Sequence, residues 1–150
     1  MGGEKYYYGI DKTQYWEEIS PKEYVGKFQV HEIRKKEDVA GVGLPMYADT
    51  SDVYVRWGRL PIHDYDEPIQ MRIYNAAGVP ILDVEINAHG VPKNRNMFPN
   101  GVIHVHELHI EKKNNKDVLV REQNPHSPTE EQIKEYSVLF NRYFKTATII

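Results

Sequence analysis

Four of the seven histidines fall in one short stretch, HGVPKNRNMFPNGVIHVHELHIE, from His89 to Glu111. Imidazole titrates near neutrality and is a common metal ligand. The pair His104 and His106 lies in VIHVHELHI, whose pattern predicts a strand over 102–110. Alternate residues of a strand share a face, which puts these two Cα atoms about 6.5–7 Å apart. Rings at that spacing can converge on one metal ion, one phosphate or one carboxylate. A third group must come from elsewhere in the chain. His89 is the first candidate, since its loop joins the neighbouring strand, and His63 with Asp64 is the second. His109 falls on the opposite face with Ile103, Val105 and Glu107.

Three further segments bear on the site. The connection from Ala88 to Gly101 is longer than a sheet turn requires, and such loops often carry function. Asn87, His89, Lys93 and Asn94 give it polar groups, while Gly90, Pro92 and Pro99 restrict its shape. RLPIHDYDEP at 59–68 gathers His63, Asp64, Asp66 and Glu67, which suit a hard cation or acid–base work. The commoner meaning of such a group is a solvated acidic turn. AGVGLP at 40–45 has two glycines but no third, no lysine–serine pair, and Pro45 where a helix should continue; it reads as a turn.

The elements that must hold these residues follow from periodicity. Strands are expected at 28–30, 53–57, 69–75, 81–87, 102–110 and 117–122. In 81–87, Leu82, Val84 and Ile86 face one way and Asp83 and Glu85 the other. Segments 69–75 and 81–87 form a hairpin about Gly78, and 102–110 with 117–122 a second. Short helices are expected over 12–19, opened by Asp11, and from the Ser20-Pro21 start to Gly26, with HEIRKKED as a charged connector. Ser127, Pro128 and Glu130 open a C-terminal helix whose Ile133, Tyr136, Phe140, Tyr143 and Phe144 form one apolar stripe. The expected class is α+β in a single domain over 1–150: an antiparallel meander of about five strands, short N-terminal helices, and one long C-terminal helix packed on the sheet.

Composition narrows the chemistry. The 150 residues include no cysteine, which excludes disulfide scaffolds, thiolate zinc sites and cysteine nucleophiles. No apolar run reaches membrane-spanning length, and MGGEKYYY lacks the apolar core of a signal peptide, so a cytoplasmic protein with no membrane role is expected. The net charge of −3 is uneven: residues 89–121 hold 6 basic against 3 acidic side chains. That local excess can steer an anion, although solvated lysines are the commoner meaning.

Two resemblances bear on the histidine stretch. The spacing H-x-H-x4-E at His104, His106 and Glu111 resembles part of the first cupin motif, with Phe98 and Val118 where its glycines would stand. The string His89-Gly90-Val91-Pro92-Lys93, followed by His104-Val105-His106, resembles C-terminal domains of bacterial polymorphic toxins and related mobile-element proteins over about thirty-five residues. Ile103 stands where that pattern has a proline. The second resemblance implies a nuclease, with RNA or another phosphodiester as partner. Without metal, RNA cleavage needs a base, an acid and a cation for the phosphorane. His89 with His104 or His106 fits the first two roles and Lys93 the third. With one divalent metal, His89, His104 and His106 become ligands, with His63 as the alternative. Two other functions fit the same residues. One is a non-catalytic phage or mobile-element protein that binds a protein partner through its tyrosine-rich N-terminus, its acidic 64–67 loop or an exposed strand. The other is a domain in which the metal is structural.

Overall fold

The structure, a computed structural model, describes residues 4–8, 15–36, 43–49 and 51–150. Strands β1 (Glu4–Tyr8), β2 (Trp16–Glu18), β3 (Glu23–Val25) and β4 (Phe28–Lys35) are followed by β5 (Asp52–Gly58), β6 (Glu67–Tyr74) and β7 (Pro80–Glu85). A one-and-a-half-turn helix, α1 (Pro92–Met97), then precedes β8 (His104–Lys113), β9 (Lys116–Glu122) and the long α2 (Glu130–Tyr143). All strands belong to one nine-stranded sheet in the order β1-β9-β8-β7-β6-β5-β4-β2, with β3 also on β4.

This corrects the expected architecture of short N-terminal helices and a meander of about five strands. The sheet is nearly twice that size, and β4 runs parallel to β5. Residues 12–14 of the first expected helix lie outside the described residues, but 16–18 are strand. The second expected helix is strand β3. Ser20 does not cap it; its hydroxyl donates to Glu32 at 2.7 Å. Gly26, at φ +59°, turns the chain so that Val25 pairs with Phe28. A helix this short repays little of its nucleation cost, whereas the strands bury Trp16 and Val25. Residues 31–35 of the charged connector are likewise strand, where Glu32 finds partners in Ser20 and the Trp57 indole N–H, and 37–38 lie outside the described residues.

One sheet face is apolar. Val30, Val53, Val55, Met71, Val84 and Val105 pack with Leu139 and Phe140 of α2 in a single core. The helix starts two residues later than expected. Thr129, not Ser127, is its cap, and Thr129 and Gln132 exchange backbone and side-chain hydrogen bonds in a capping box. Among the described residues no helix is long and apolar enough to cross a membrane.

The other face is polar and nevertheless covered. Gln70, Arg72, Asp83, Glu85, His104 and His106 are all buried. Residues 43–49 run across this face. The Leu44 and Pro45 carbonyls accept from Arg72, and Met46 packs on Leu108 and Leu119. Gly78 pins that strap. It sits at φ +77°, its carbonyl accepts from Ala48 N at 3.0 Å, and a Cβ built there falls 1.9 Å from the Ala48 oxygen. Gly78→Ala is therefore expected to destabilise by about 2 kcal/mol or more, from left-handed backbone and displaced strap together. A shift of the urea midpoint equivalent to under 1 kcal/mol would show that the strap yields freely.

Candidate metal centre

The register of β7 on β8 sets Glu85 opposite His104 and Asp83 opposite His106. Since those strands alternate in phase, both histidines and both carboxylates emerge on the covered polar face. The next strand contributes Arg121, paired with Leu108, two residues along from His106 and on the same face. His89 arrives from the β7–β8 connection. That loop closes at its neck, where Gly101 N donates to the Ile86 carbonyl (2.7 Å) and Ala88 N to Asn100 Oδ1 (2.8 Å). Gly90, at φ +83°, turns the chain into α1 directly after His89. Phe98, 3% exposed, anchors the far end with its ring centroid 5.4 Å from that of His104.

The result is a group of four potential ligands. One ligand atom from each of Glu85, His89, His104 and His106 lies within 4.8 Å of the others. His89 Nε2 is 3.0 Å from His104 Nε2 and 3.2 Å from Glu85 Oε2, and His106 Nε2 is 3.7 Å from Glu85 Oε1. Metal–ligand bonds of about 2.1 Å give tetrahedral ligand–ligand edges of about 3.4 Å, so these separations bracket one ion's coordination shell. His106 is the most telling member. Its Nδ1–H donates to the Glu122 carbonyl at 2.5 Å, which leaves Nε2 as the nitrogen with the lone pair. That Nε2 is buried and makes no hydrogen bond. A ring fixed through one nitrogen with the other bare toward a carboxylate is the usual outer-shell arrangement of a metal-binding histidine. Three imidazoles and one carboxylate suit a borderline transition ion better than magnesium or calcium.

Electrostatics agree with ligand use. Burial pushes the His104 imidazolium down to about 4, helped by the neighbouring His106 and His89, and burial likewise lowers His106. Both rings are thus neutral, as ligation demands. Burial alone would raise the Glu85 carboxyl, but the Arg121 guanidinium and the hydrogen bond from His89 hold it well below the usual carboxylate range. Arg121 bridges Asp83 and Glu85, and Arg72 holds Asp83 through Nε (2.7 Å) and Nη2 (2.9 Å). Two guanidiniums and two carboxylates cancel.

Of the residues expected at the site, the fold brings together His89, His104 and His106 and leaves out the rest. Lys93 is exposed on α1 and does not line the cleft beside the cluster. His63 pairs with Glu67 at 2.5 Å and stacks on Tyr65, away from the four. Glu111 bonds His109 at 3.0 Å on an exposed edge, so the cupin-like spacing does not describe this site. Glu107 faces α2, where His126 and Gln132 bond it. Glu85 and Arg121 were not among the expected site residues. Their signal was the alternation in ILDVEIN, which puts Glu85 in the polar phase of a strand paired with HVH; such residues ordinarily face water.

The cluster opens on one side. His89 has a third of its side chain exposed and, with His106 and Arg121, lines a cleft of about 440 Å³ bounded by Gly90, Val91, Asn94, Gln123 and Asn124. No protein-family model, curated protein or solved structure matches the chain. Phe98→Ala should cost about 3–5 kcal/mol, as for other buried aromatics, and weaken metal uptake by freeing the His104 ring and the loop bearing His89. Unfolding curves and metal titration check both; unchanged metal affinity would mean that Phe98 supports only the fold.

Proposed function

We propose that this protein is a hydrolase in which Glu85, His89, His104 and His106 hold one divalent transition ion that acts on phosphodiesters, RNA among them. The observation that carries the reading is the bare, buried Nε2 of His106 amid three other potential ligands, its ring locked by the Glu122 carbonyl. Such an ion supplies a Lewis acid and a water of lowered pKa. Because Arg72 and Arg121 already offset Asp83 and Glu85, and Arg56 also acts on Glu85, the ion's own charge stays uncompensated in a buried site, which favours an anionic substrate. His89 and Arg121 stand at the cleft wall where a phosphate would enter.

Metal-free acid–base cleavage by the same histidines is less well supported. His104 and His106 are each 2% exposed, His104 does not line the cleft, and Lys93 stands apart. A structural ion is the second reading, favoured by four protein ligands that would fill a tetrahedral shell. The opening at His89 favours catalysis, since a structural site is normally sealed.

Elemental analysis after zinc, manganese or iron loading should give one ion per chain, lost in Glu85→Ala and His104→Ala. The loaded protein should cleave bis(p-nitrophenyl) phosphate or RNA and stop with chelator. One bound ion without cleavage of either would leave the structural reading; no stoichiometric ion would remove both.

A further inference from the structure

The cleft has two unlike ends. Toward the cluster it carries the Arg121 guanidinium beside the imidazoles of His89 and His106. Away from it the wall is uncharged: three amides, Asn94, Gln123 and Asn124, beside Gly90 and the apolar Val91, which is 59% exposed. Asn94 makes one long contact, Nδ2 to the Gln123 carbonyl at 3.4 Å. Among the described residues the side-chain amides of Gln123 and Asn124 make no hydrogen bond within the protein.

We infer that this wall is a nucleobase subsite and that the substrate is a single-stranded nucleic acid or its end. The inference rests on the metal-hydrolase reading of the cluster and names what lies next to the scissile phosphate. An amide carries a donor and an acceptor side by side, the arrangement that matches the edge of a base in a bidentate contact. Val91 offers an apolar surface for the face of a ring, and Gly90 leaves room: a Cβ there would meet only the Asn94 amide, at 3.6 Å. A ligand with one anionic group and one flat group, polar at its edge and apolar on its face, fits both ends. A nucleotide has that form. The volume, about 440 Å³, lies toward the small end of ligand pockets, roughly 300–1,000 Å³. It admits one nucleotide unit, whereas a base stacked in a duplex would first have to leave the helix.

Calorimetric titration of the zinc-loaded full chain with inorganic phosphate and with the four nucleoside 5′-monophosphates tests this. At least one nucleotide should bind about tenfold or more tightly than phosphate, with a preference among bases of similar size. Gln123→Leu and Asn124→Leu, both at solvent-reachable positions, should bring the nucleotide-to-phosphate ratio close to one and flatten the preference. Nucleotides that bind no better than phosphate, or a ratio untouched by both substitutions, overturn the base subsite and leave the metal centre standing. A chain that takes up zinc but binds neither probe overturns the phosphodiester reading and the subsite with it.

Discussion

Arg121→Leu is expected to destabilise the metal-free protein by about 3–5 kcal/mol, the usual consequence of leaving a buried charge without its partner. Arg121 is the bridge between Asp83 and Glu85, whose side chains are 0% and 5% exposed. Asp83 keeps Arg72 when Arg121 is lost. Glu85 keeps imidazoles at close range and only the more distant charges of Arg56 and Arg72, so most of the penalty falls on it. Two controls separate this cause from lost packing. Adding Glu85→Leu to Arg121→Leu should recover much of the loss, a coupling that a double-mutant cycle reads directly. Saturating zinc should also recover part of it, since the ion takes over the role of counter-charge. Urea unfolding in chelator and in zinc measures all three. A loss below about 1 kcal/mol in chelator would mean that water reaches Glu85 and that the group is an ordinary surface pair.

His106→Ala is expected to lower metal affinity about a hundredfold or more. Structural zinc sites of four ligands bind with about 10–16 kcal/mol in total, so one ligand carries enough to produce that change. The same substitution should abolish the rise in melting temperature on metal addition. That rise reflects about 2.7 kcal/mol when the ion is present at one hundred times its Kd. His109→Ala is the control: its side chain is 53% exposed and bonded to Glu111. A competitive titration against a chromophoric chelator reports the affinities. Equal affinity in wild type, His106→Ala and His109→Ala would show that any bound metal lies elsewhere.

Much of this site is legible from residue order. The alternation in VIHVHELHI separates His104 and His106 from His109, and the loop through His89 returns to the adjacent strand. The hairpins about Gly78 and after Lys113 follow from turn residues between alternating segments. What escapes has one physical cause. Polar residues in the off phase of a strand ordinarily mark a face in water, yet here residues 43–49 and the β7–β8 connection cover that face. Glu85 and Arg121 therefore look like solvent-facing charges until the strap is placed, and its hold on Arg72 is a contact between segments 27 or 28 residues apart. Lys93 neighbours His89 in the chain yet does not line the cleft. Arg121 is nearer in space through the register of β9 on β8, which no local pattern reveals. The N-terminal strands were hidden for a related reason: Glu32 and Ser20 satisfy each other across a sheet, where their spacing alone suggests a helix start and a connector.

Among the described residues, strand β1 pairs with a strand from which seven others separate it along the chain. Glu4 lies against Glu122 and Tyr8 against Val118, so its one partner strand among the described residues is made more than a hundred residues later. Closing so long a loop is entropically costly and slow. Until it closes, the nascent chain carries a lone strand and β9 a raw edge, and two unfinished molecules can satisfy both by exchanging the strand. Folding at high concentration therefore favours dimers linked by exchanged β1 strands, and slow, dilute refolding favours monomers.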